Sequence, residues 1–325
     1  MKLSVVIPIY NEEENIDALY SELKEVLVSM GHEHEIVFVD DGSSDRSLEL
    51  LRRIQEQDDT VVVVSFRRNF GQTAAMAAGF DYASGDIIVT MDGDLQNDPH
   101  DIPKFLEKME EGYDLVSGWR YDRQDPFLNR RLPSMIANKI ISLVTGVHLH
   151  DYGCTLKTFH REITRGIRLY GEMHRFIPAI ASGMGGRIAE VKVNHRPRRF
   201  GTSKYGISRT IRVVLDLMTV KFLLGYSTRP IQIFGLFGVI SGLIGFVIAL
   251  VMFVQRQFFG VPMANRPLLL LAILLIFMGI QFVSMGLLGE MQARTYHESQ
   301  NKPIYAVRTV YRAEKNPGES HTAAT

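Results

Sequence analysis

Cysteine, and an excess of either charge, are what this sequence most clearly lacks. Among its 325 residues it has one cysteine, Cys154, so no disulfide can form within the chain. A lone cysteine is typical of a protein in a reducing compartment. Lysine plus arginine and aspartate plus glutamate both number 36. This balance argues against a protein that binds nucleic acid through a large positive net charge.

Short motifs that mark several common activities are also missing. No G-x-G-x-x-G follows the first apolar segment, and "GMGGRI" at 183–188 does not fit that pattern. No G-x-x-x-x-G-K-[ST] loop occurs in the chain. These absences argue against dinucleotide redox chemistry and phosphate-loop hydrolysis. The N-terminal "KLSVVIPIY" reads as a strand, so we expect no signal peptide there.

Two long uncharged hydrophobic runs lie in the C-terminal third. They occupy residues 231–254 and 268–289, and each can cross about 30 Å of hydrocarbon as a helix. The link between them is too short for a domain, so we expect a hairpin of two membrane spans. Arginine and lysine are more frequent before the first run and after the second than in the link, which predicts cytoplasmic termini and a cytoplasmic N-terminal domain. Buried helices of a soluble core are the alternative.

Residues 1–120 alternate apolar strands with helices. The strands are predicted at 3–10, 35–41, 61–66, 86–92 and 113–119. Asn11 is predicted to cap the first helix with Glu14 in the capping-box position, and Asp98 followed by Pro99 to start a later one. Apolar strands joined by helical crossovers predict a doubly wound, mostly parallel sheet that binds ligands at the carboxyl ends of its strands.

Polar side chains follow these strands where the ligand is expected. They are Tyr10, Asn11 and Glu12 after the first strand, Asp40 and Asp41 after the second, and Asp92 and Asp94 after the fourth. A pair of carboxylates at a strand end suits a hard divalent cation, Mg²⁺ or Mn²⁺, which binds oxygen and bridges phosphates. Gln96 would add a carbonyl oxygen. A solvated turn is the alternative for an isolated D-x-D.

Six segments occur in an order that resembles a known enzyme family. They are "VVIPIYNEEENI", "VDDGSSDRS", "RNFGQTAAMAAGF", "MDGDLQNDP", "DYGCTLK" and "FGTSKY". Together they resemble the family 2 glycosyltransferases of the GT-A fold. The resemblance is closest to the membrane-anchored polyprenyl-phosphate glycosyltransferases, such as dolichyl-phosphate mannosyltransferase, bactoprenol glucosyltransferase and undecaprenyl-phosphate aminoarabinose transferase. It runs from residue 3 to about residue 310 and implies an α/β catalytic domain with a Rossmann-like, mostly parallel sheet.

The resemblance implies an inverting, metal-dependent transfer of one sugar from a nucleotide-sugar, UDP- rather than GDP-linked, to undecaprenyl or another polyprenyl phosphate. The residues it assigns to the donor nucleotide-sugar are Pro8, Tyr10, Glu12, Asp40, Asp41, Asp92 and Lys204. The metal ligands it implies are Asp92, Asp94 and Gln96. The metal would neutralise charge on the leaving nucleoside diphosphate.

The acceptor needs positive charge more than a strong base, because a lipid phosphate is an anion whose oxygen is already nucleophilic near neutral pH. The resemblance assigns Arg120 and Arg131 to that phosphate, and Arg130 and Arg199 are further candidates because the guanidinium fork suits phosphate. Attraction to anionic lipid is the alternative for the arginines at 196–199. Asp151 matches a family aspartate that acts as a base or orients substrate. We favour orientation, with proton abstraction second.

The expected protein is an integral protein of the bacterial inner membrane. Its predicted parts are a cytoplasmic GT-A domain at 1–204, interface helices at 205–229, a membrane hairpin at 230–290 and a cytoplasmic tail at 291–325. Segment 131–146 also has the pattern of a helix that lies in the membrane interface. Members of the family commonly self-associate, so a homo-oligomer is expected.

Two other functions compete with this one. A processive polysaccharide synthase of the same fold normally carries a Q-x-x-R-W motif, which this chain cannot contain because its one tryptophan is Trp119. A membrane protein that binds a nucleotide-sugar without catalysis would not need the full set of metal and diphosphate carboxylates. The substitution Asp94→Asn separates the second alternative from an enzyme.

Overall fold

The computed structural model describes residues 1–121, 132–171, 173–197, 216–221 and 303–313, with isolated positions between 258 and 295. The chain forms two compact units, Met1–Leu217 with Pro303–Thr325, and Met218–Lys302. Among the described residues, no helix has the length and apolarity to cross a membrane. The spans expected at 231–254 and 268–289 lie outside those residues, apart from single positions in the second.

In the described part of the first unit, an eight-stranded mixed sheet forms the centre. Its strands are β1 (Lys2–Ile9), β2 (Glu33–Asp40), β3 (Val61–Phe66), β4 (Ile87–Thr90), β5 (Leu115–Arg120), β6 (Lys157–His160), β7 (Ile188–Val193) and β8 (Val307–Tyr311). Their order across the sheet is β7-β5-β6-β4-β1-β2-β3-β8. Strands β1 to β4 run parallel, and β5 is parallel to β7. Strand β6 is antiparallel to β4 and β5, and β8 is antiparallel to β3.

Helices cover both faces of this sheet. They are α1 (Ile16–Ser29), α2 (Ser47–Gln57), α3 (Gln72–Tyr82), α4 (Ile102–Glu110), α5 (Leu132–Thr145), α6 (Arg161–Gly166) and α7 (Ile177–Gly183). Because side chains alternate along a strand, β1 sends Val5 into a core with α1, α2 and α4, and Val6 into a second core with α3. Helix α3 packs so close to β1 that a Cβ on Gly79 would collide with Val6.

The five predicted strands are present as β1 to β5. The bounds of β3 are as predicted, and the ends of the other four differ from the prediction by one or two residues. The predicted cap at Asp98 is confirmed, because its side chain accepts from the His100 N–H over 3.0 Å. The cap at Asn11 is wrong. Helix α1 starts only at Ile16, and Asn11 has a φ of 54° and accepts instead from the Ser44 N–H over 2.8 Å. The sheet is also more mixed than predicted, because β6 enters it antiparallel.

The last described strand returns to the sheet from far along the chain. In β8, Tyr311 lies opposite Val63 of β3. Just before β8, the Tyr305 ring stacks on Phe66 with centroids 5.1 Å apart, and its hydroxyl donates to Asp81 Oδ2 over 2.6 Å. Part of the segment expected to be a tail, 291–325, is therefore an edge strand of the sheet.

Candidate active site

The carboxyl ends of β1, β2 and β4 contact one another at one edge of the sheet. The Asp41 N–H donates to the Ile9 carbonyl over 2.8 Å, and the Asn11 N–H donates to Ser43 Oγ over 3.0 Å. Gly93 follows β4 and lies so close to β1 that an added Cβ would be 2.5 Å from Ile9 Cδ1. The fold therefore brings together the three strand ends that carry the expected donor-binding residues.

Pro8, Tyr10 and Glu12, which are expected to flank the nucleotide, lie at the end of β1 and just beyond it. Pro8 and Tyr10 are half-buried. The Glu12 N–H donates to Ser47 Oγ over 2.9 Å, and Glu12 Oε2 accepts from Asn15 Nδ2 over 2.7 Å. The start of α2 thus holds the backbone of this segment beside β2.

Asp40 and Asp41 are both buried and both accept hydrogen bonds from the protein. Asp40 Oδ2 accepts from Ser65 Oγ over 3.1 Å. Asp41 accepts two backbone N–H groups, from Phe70 over 2.6 Å and from Gly71 over 2.9 Å. Burial raises the pKa of Asp41 to about 6, assisted by the Asp40 carboxylate, although the two N–H donors act in the opposite direction. Asp41 therefore fixes the start of α3.

The Asp92 carboxylate is held by side chains from two separate parts of the chain. Its Oδ1 accepts from Gln72 Nε2 at the start of α3 over 2.9 Å. Its Oδ2 accepts from Thr155 Oγ1, just before β6, over 2.6 Å. Its own N–H donates to Asn97 Oδ1 over 2.9 Å. Both the backbone and the carboxylate of Asp92 are thus fixed in direction.

A tight turn places Asp94 and Gln96 next to Asp92. Asp94 is buried, and its Oδ1 accepts from the Gln96 N–H over 3.1 Å. Leu95 has a φ of 61°, a conformation that non-glycine residues seldom adopt. Gln96 Nε2 donates to the Arg196 carbonyl over 3.4 Å, which leaves Oε1 as its ligand atom.

The residues Asp92, Asp94 and Gln96 fit a divalent cation by their chemistry. Burial, followed by the neighbouring Asp94 carboxylate, raises the pKa of Asp92, while hydrogen bonding by Thr155 and the charge of Arg120 act in the opposite direction. A cation between the two carboxylates would remove the repulsion that disfavours their ionised forms. All three side chains offer oxygen, the ligand that Mg²⁺ and Mn²⁺ prefer.

Arg120 and Asp151 form a bidentate ion pair next to these carboxylates. Arg120 Nε donates to Asp151 Oδ2 over 2.7 Å, and its Nη2 donates to Oδ1 over 3.0 Å. The Gly153 N–H also donates to Oδ1, over 3.0 Å. Burial disfavours the charged Arg120, but the Asp151 carboxylate outweighs this and raises the pKa of the guanidinium. Four residues after Asp151, Thr155 Oγ1 donates to Asp92 Oδ2, so the pair and the acidic turn belong to one site.

A buried lysine lies in the same site. Lys157 is 2% exposed, and its ammonium group donates to the carbonyl oxygens of Cys154 and Tyr152. Burial lowers the pKa of Lys157, whereas the negative charges of Asp151 and Asp92 act to raise it. Arg120 thus pairs with the carboxylate of Asp151, whereas Lys157 binds the backbone of the turn that follows Asp151.

Arg196 is engaged by the protein and does not present its guanidinium to a ligand. It donates to both oxygens of Glu22 over 2.9 and 2.7 Å, and to Asp98 Oδ1 over 2.8 Å. Glu22, Asp98 and His100 have ligand atoms within 4.8 Å of one another. Arg196 already supplies the positive charge at that cluster, so we assign it to structure. The other expected basic residues, Arg130, Arg131, Arg199 and Lys204, lie outside the described residues.

Four side chains that support the site received no role from sequence reasoning. They are Gln72, Asn97, Thr155 and Lys157. Each lies within one of the segments that carry the family resemblance, which was the available signal. Their function depends on which carboxylate or carbonyl they reach in space, and spacing along the chain does not reveal that.

Comparison with known proteins shows the family of this chain. The sequence model of glycosyl transferase family 2 matches residues 4–168. A dodecaprenyl-phosphate galacturonate synthase of Rhizobium johnstonii is 43% identical over 315 residues, which cover 96% of this chain and 93% of that protein. The chain belongs to glycosyl transferase family 2. An undecaprenyl-phosphate 4-deoxy-4-formamido-L-arabinose transferase of Pseudomonas aeruginosa is 40% identical over 313 residues, 96% of this chain and 91% of that one.

Solved structures show the fold of this family 2 glycosyltransferase. Glucosyl-3-phosphoglycerate synthase of Mycobacterium tuberculosis, in complex with Mn²⁺ and UDP-glucose, aligns with a TM-score of 0.53. The two chains share 18% identity, and the alignment covers 69% of this chain and 78% of that one. The same synthase with Mn²⁺, UDP and phosphoglyceric acid aligns with a TM-score of 0.54. The likeness confirms the predicted GT-A-like α/β domain.

Proposed function

We propose that this glycosyltransferase moves one sugar from a UDP-sugar to polyprenyl phosphate. The observation that carries the proposal is that one short turn joins the two charged groups. It carries Asp151, which pairs with Arg120, and Thr155, which donates to Asp92 of the acidic turn. A phosphate oxygen of the lipid bonds to the anomeric carbon, the bond from that carbon to the donor diphosphate breaks, and UDP leaves with the electron pair. One displacement inverts the anomeric configuration.

The donor nucleotide would lie over the ends of β1 and β2. Tyr10 offers a face for stacking on the base, with Pro8 and Glu12 on either side of it. Asp40 offers its remaining lone pairs to the base or ribose, while Asp41 supports the site by holding the start of α3. Lys204 would reach the donor phosphates.

Asp92, Asp94 and Gln96 would hold Mg²⁺ or Mn²⁺. When bound, the ion supplies Lewis-acid neutralisation of the charge that grows on the departing diphosphate. The protein prepares for this by fixing the Asp92 carboxylate through Gln72 and Thr155. Partners of this kind orient metal ligands and raise affinity.

The acceptor phosphate would bind on the Arg120 side. A guanidinium has five N–H donors, and Arg120 uses Nε–H and one Nη2–H on Asp151. Its remaining side-chain donors make no hydrogen bond to the residues that the structure describes, and we propose that they bind a phosphate oxygen. Arg130, Arg131 and Arg199 would add charge there, so that two anionic substrates can approach each other.

Asp151 is better placed to hold Arg120 in position than to abstract a proton. A carboxylate has about four lone-pair sites. Here Oδ1 accepts from Arg120 Nη2 and the Gly153 N–H, and Oδ2 accepts from Arg120 Nε and, over 3.4 Å, from the Arg120 N–H. Because the lipid phosphate is already a nucleophile, we assign Asp151 to holding Arg120 in position.

A lipid acceptor requires the site to lie at a membrane surface, and α5 supports this placement. Its residues Met135, Ile140 and Leu143 are exposed, and Leu143 is 82% exposed. Exposed apolar side chains on a helix suit the headgroup boundary of a bilayer. We therefore propose an inner-membrane enzyme with its catalytic unit in the cytoplasm, anchored by spans at 231–254 and 268–289 and assembled as a homo-oligomer.

The direct test is transfer into lipid. Membranes that contain the full chain are incubated with Mn²⁺, undecaprenyl phosphate and radiolabelled UDP-sugars, and label is counted in the organic phase. The panel should include galacturonate and 4-deoxy-4-formamido-L-arabinose donors, because the two relatives are named for these sugars. We expect chelator-sensitive label from one donor.

Asp94→Asn is the informative variant. Asp59→Asn is its control because Asp59 is exposed and precedes β3, at the amino ends of the parallel strands, whereas the site lies at their carboxyl ends. We expect Asp94→Asn to lower transfer about 100-fold or more, with Asp59→Asn unchanged. Full transfer by Asp94→Asn in the presence of metal would refute the proposed mechanism. Bound nucleotide without transfer from any donor would favour the non-catalytic alternative.

A further inference from the structure

The short turn from Asp151 to Leu156 connects the two halves of the site. At its start, Asp151 pairs with Arg120 on the acceptor side. Near its end, Thr155 Oγ1 donates to Asp92 Oδ2 on the donor side over 2.6 Å. The position of one turn therefore decides the direction of a side chain in each half.

Lys157, directly after the turn, binds its backbone. It is the first residue of β6, where it pairs with Thr90 of β4 and Ser117 of β5. From there its ammonium donates to two carbonyl oxygens of the turn, those of Tyr152 and Cys154. The Thr90 hydroxyl adds a bond to the Thr155 carbonyl over 2.7 Å.

A buried lysine at this position needs an explanation beyond packing. Moving an ammonium group out of water is unfavourable unless hydrogen bonds and opposite charges compensate. The two carbonyls and the charges of Asp92 and Asp151 offset part of this cost, but burial and the charge of Arg120 still leave the pKa of Lys157 lowered. A methionine would fill a similar volume without the desolvation cost, but it would leave the two carbonyls without this donor.

We propose that Lys157 and Thr155 are positioning residues, in which Lys157 fixes the turn and Thr155 transmits its position to Asp92. Thr155 acts on the donor half alone, because its side chain contacts Asp92 and Asn97. Lys157 acts on both halves, because the turn it holds also carries Asp151. The inference rests on the proposed function for its substrates.

This division predicts different kinetic signatures for the two residues. Thr155→Val removes the donor to Asp92, so we expect the KM for the UDP-sugar and the Mn²⁺ requirement to rise about 10-fold, the range for residues that orient metal ligands. The KM for polyprenyl phosphate should stay within about 2-fold. Thr155→Ser keeps the hydroxyl and should recover most of the loss. Lys157→Met should lower kcat about 10-fold or more and raise both KM values.

The experiment uses the full chain in detergent with three measurements. They are steady-state transfer, UDP binding by calorimetry with and without Mn²⁺, and the midpoint of thermal unfolding. Thr158→Val is a matched control, because Thr158 is buried on β6 next to Lys157 and its Oγ1 has no hydrogen-bond partner among the described residues. We expect Thr155→Val to weaken UDP binding about 10-fold only with Mn²⁺ present.

Two outcomes separate this inference from the proposed function. If the wild type transfers sugar while Thr155→Val binds UDP with Mn²⁺ as tightly as Thr158→Val does, the inference is overturned and the function stands. If the wild type transfers no sugar to lipid but Thr155→Val still loses Mn²⁺-dependent UDP binding, the positioning role stands and the function is overturned. The Thr155 variants test the positioning role even if Lys157→Met fails to fold.

Discussion

Removing the Arg196 side chain tests whether this arginine is structural. Its guanidinium donates to two oxygens of Glu22 and one of Asp98, and the side chain is 26% exposed. Arg196→Ala would leave two carboxylates close together without their cation. The backbone N–H of Arg196 also donates to the Gln96 carbonyl over 3.0 Å, so Arg196 and its two carboxylate partners lie near the acidic turn.

The size of the effect follows from the burial of the partners. Breaking a fully buried pair by removing one member costs about 3–5 kcal/mol, whereas an exposed pair contributes about 0–1 kcal/mol. With Glu22 at 23% and Asp98 at 11% side-chain exposure, we expect an intermediate loss of about 2 kcal/mol in the free energy of unfolding. For a unit of this size, that lowers Tm by about 4–8 °C.

The assay compares Tm of the wild type, Arg196→Ala and Arg53→Ala in the same detergent. Arg53 makes a pair of similar geometry with Asp17, but the two side chains are 51% and 63% exposed, so its removal should lower Tm by less than about 3 °C. Equal shifts in the two variants would refute the structural assignment. So would a normal Tm for Arg196→Ala combined with a raised KM for polyprenyl phosphate, which would indicate lipid binding.

The pH dependence of this loss has a definite sign. Burial raises the pKa of Asp98, but hydrogen bonds from Asn194, His100 and Arg196 outweigh it and lower the pKa from 3.8 to about 2. The ion pair therefore stabilises the fold above about pH 4, and this contribution is lost as the pH falls toward 2. The difference in Tm between Arg196→Ala and wild type should therefore shrink as the pH falls below about 4.

Two further predictions concern close packing. Gly93→Ala should lower the free energy of unfolding by about 1–3 kcal/mol and reduce transfer, because the new Cβ would lie 2.5 Å from Ile9 Cδ1. Ile9→Val removes that atom, so the double variant should regain part of the loss in denaturation and transfer assays, and no recovery would contradict the packing argument. Burial raises the pKa of the Cys154 thiol to about 11, so maleimide at pH 8 should label it only in unfolded protein. Labelling of the native protein at the rate of a free thiol would contradict this.

Much of the fold follows from local signals in the sequence. Strands β1 to β4 are apolar because helices cover both faces of the sheet, and this pattern is visible along the chain. Strand β6 is the opposite case. Its four residues, "KTFH", form no apolar run, and its place comes from antiparallel pairing with β4 and β5. No local pattern predicts that insertion.

Local sequence patterns also fail to predict the partners of several side chains in the site. A carboxylate at a strand end can bind a ligand or accept backbone N–H groups, and residue type does not distinguish the two. Asp41 accepts the N–H groups of Phe70 and Gly71, whereas Asp92 is held by side chains. A run of arginines is equally ambiguous, since the partner of Arg196 is Glu22, 174 positions away. Such partners are a property of the folded chain.

The return of β8 to the sheet has a consequence for biosynthesis. Its partner β3 is made early, yet the pairing must wait until residues 67–306 have left the ribosome, roughly 10–50 s at 5–20 residues per second. During that interval the N–H and C=O groups along one side of β3 lack their strand partner, and such an edge invites pairing with other chains. A fragment that stops at Leu217 would keep this open edge permanently. A workable water-soluble fragment would need residues 303–313 joined back to it through a linker.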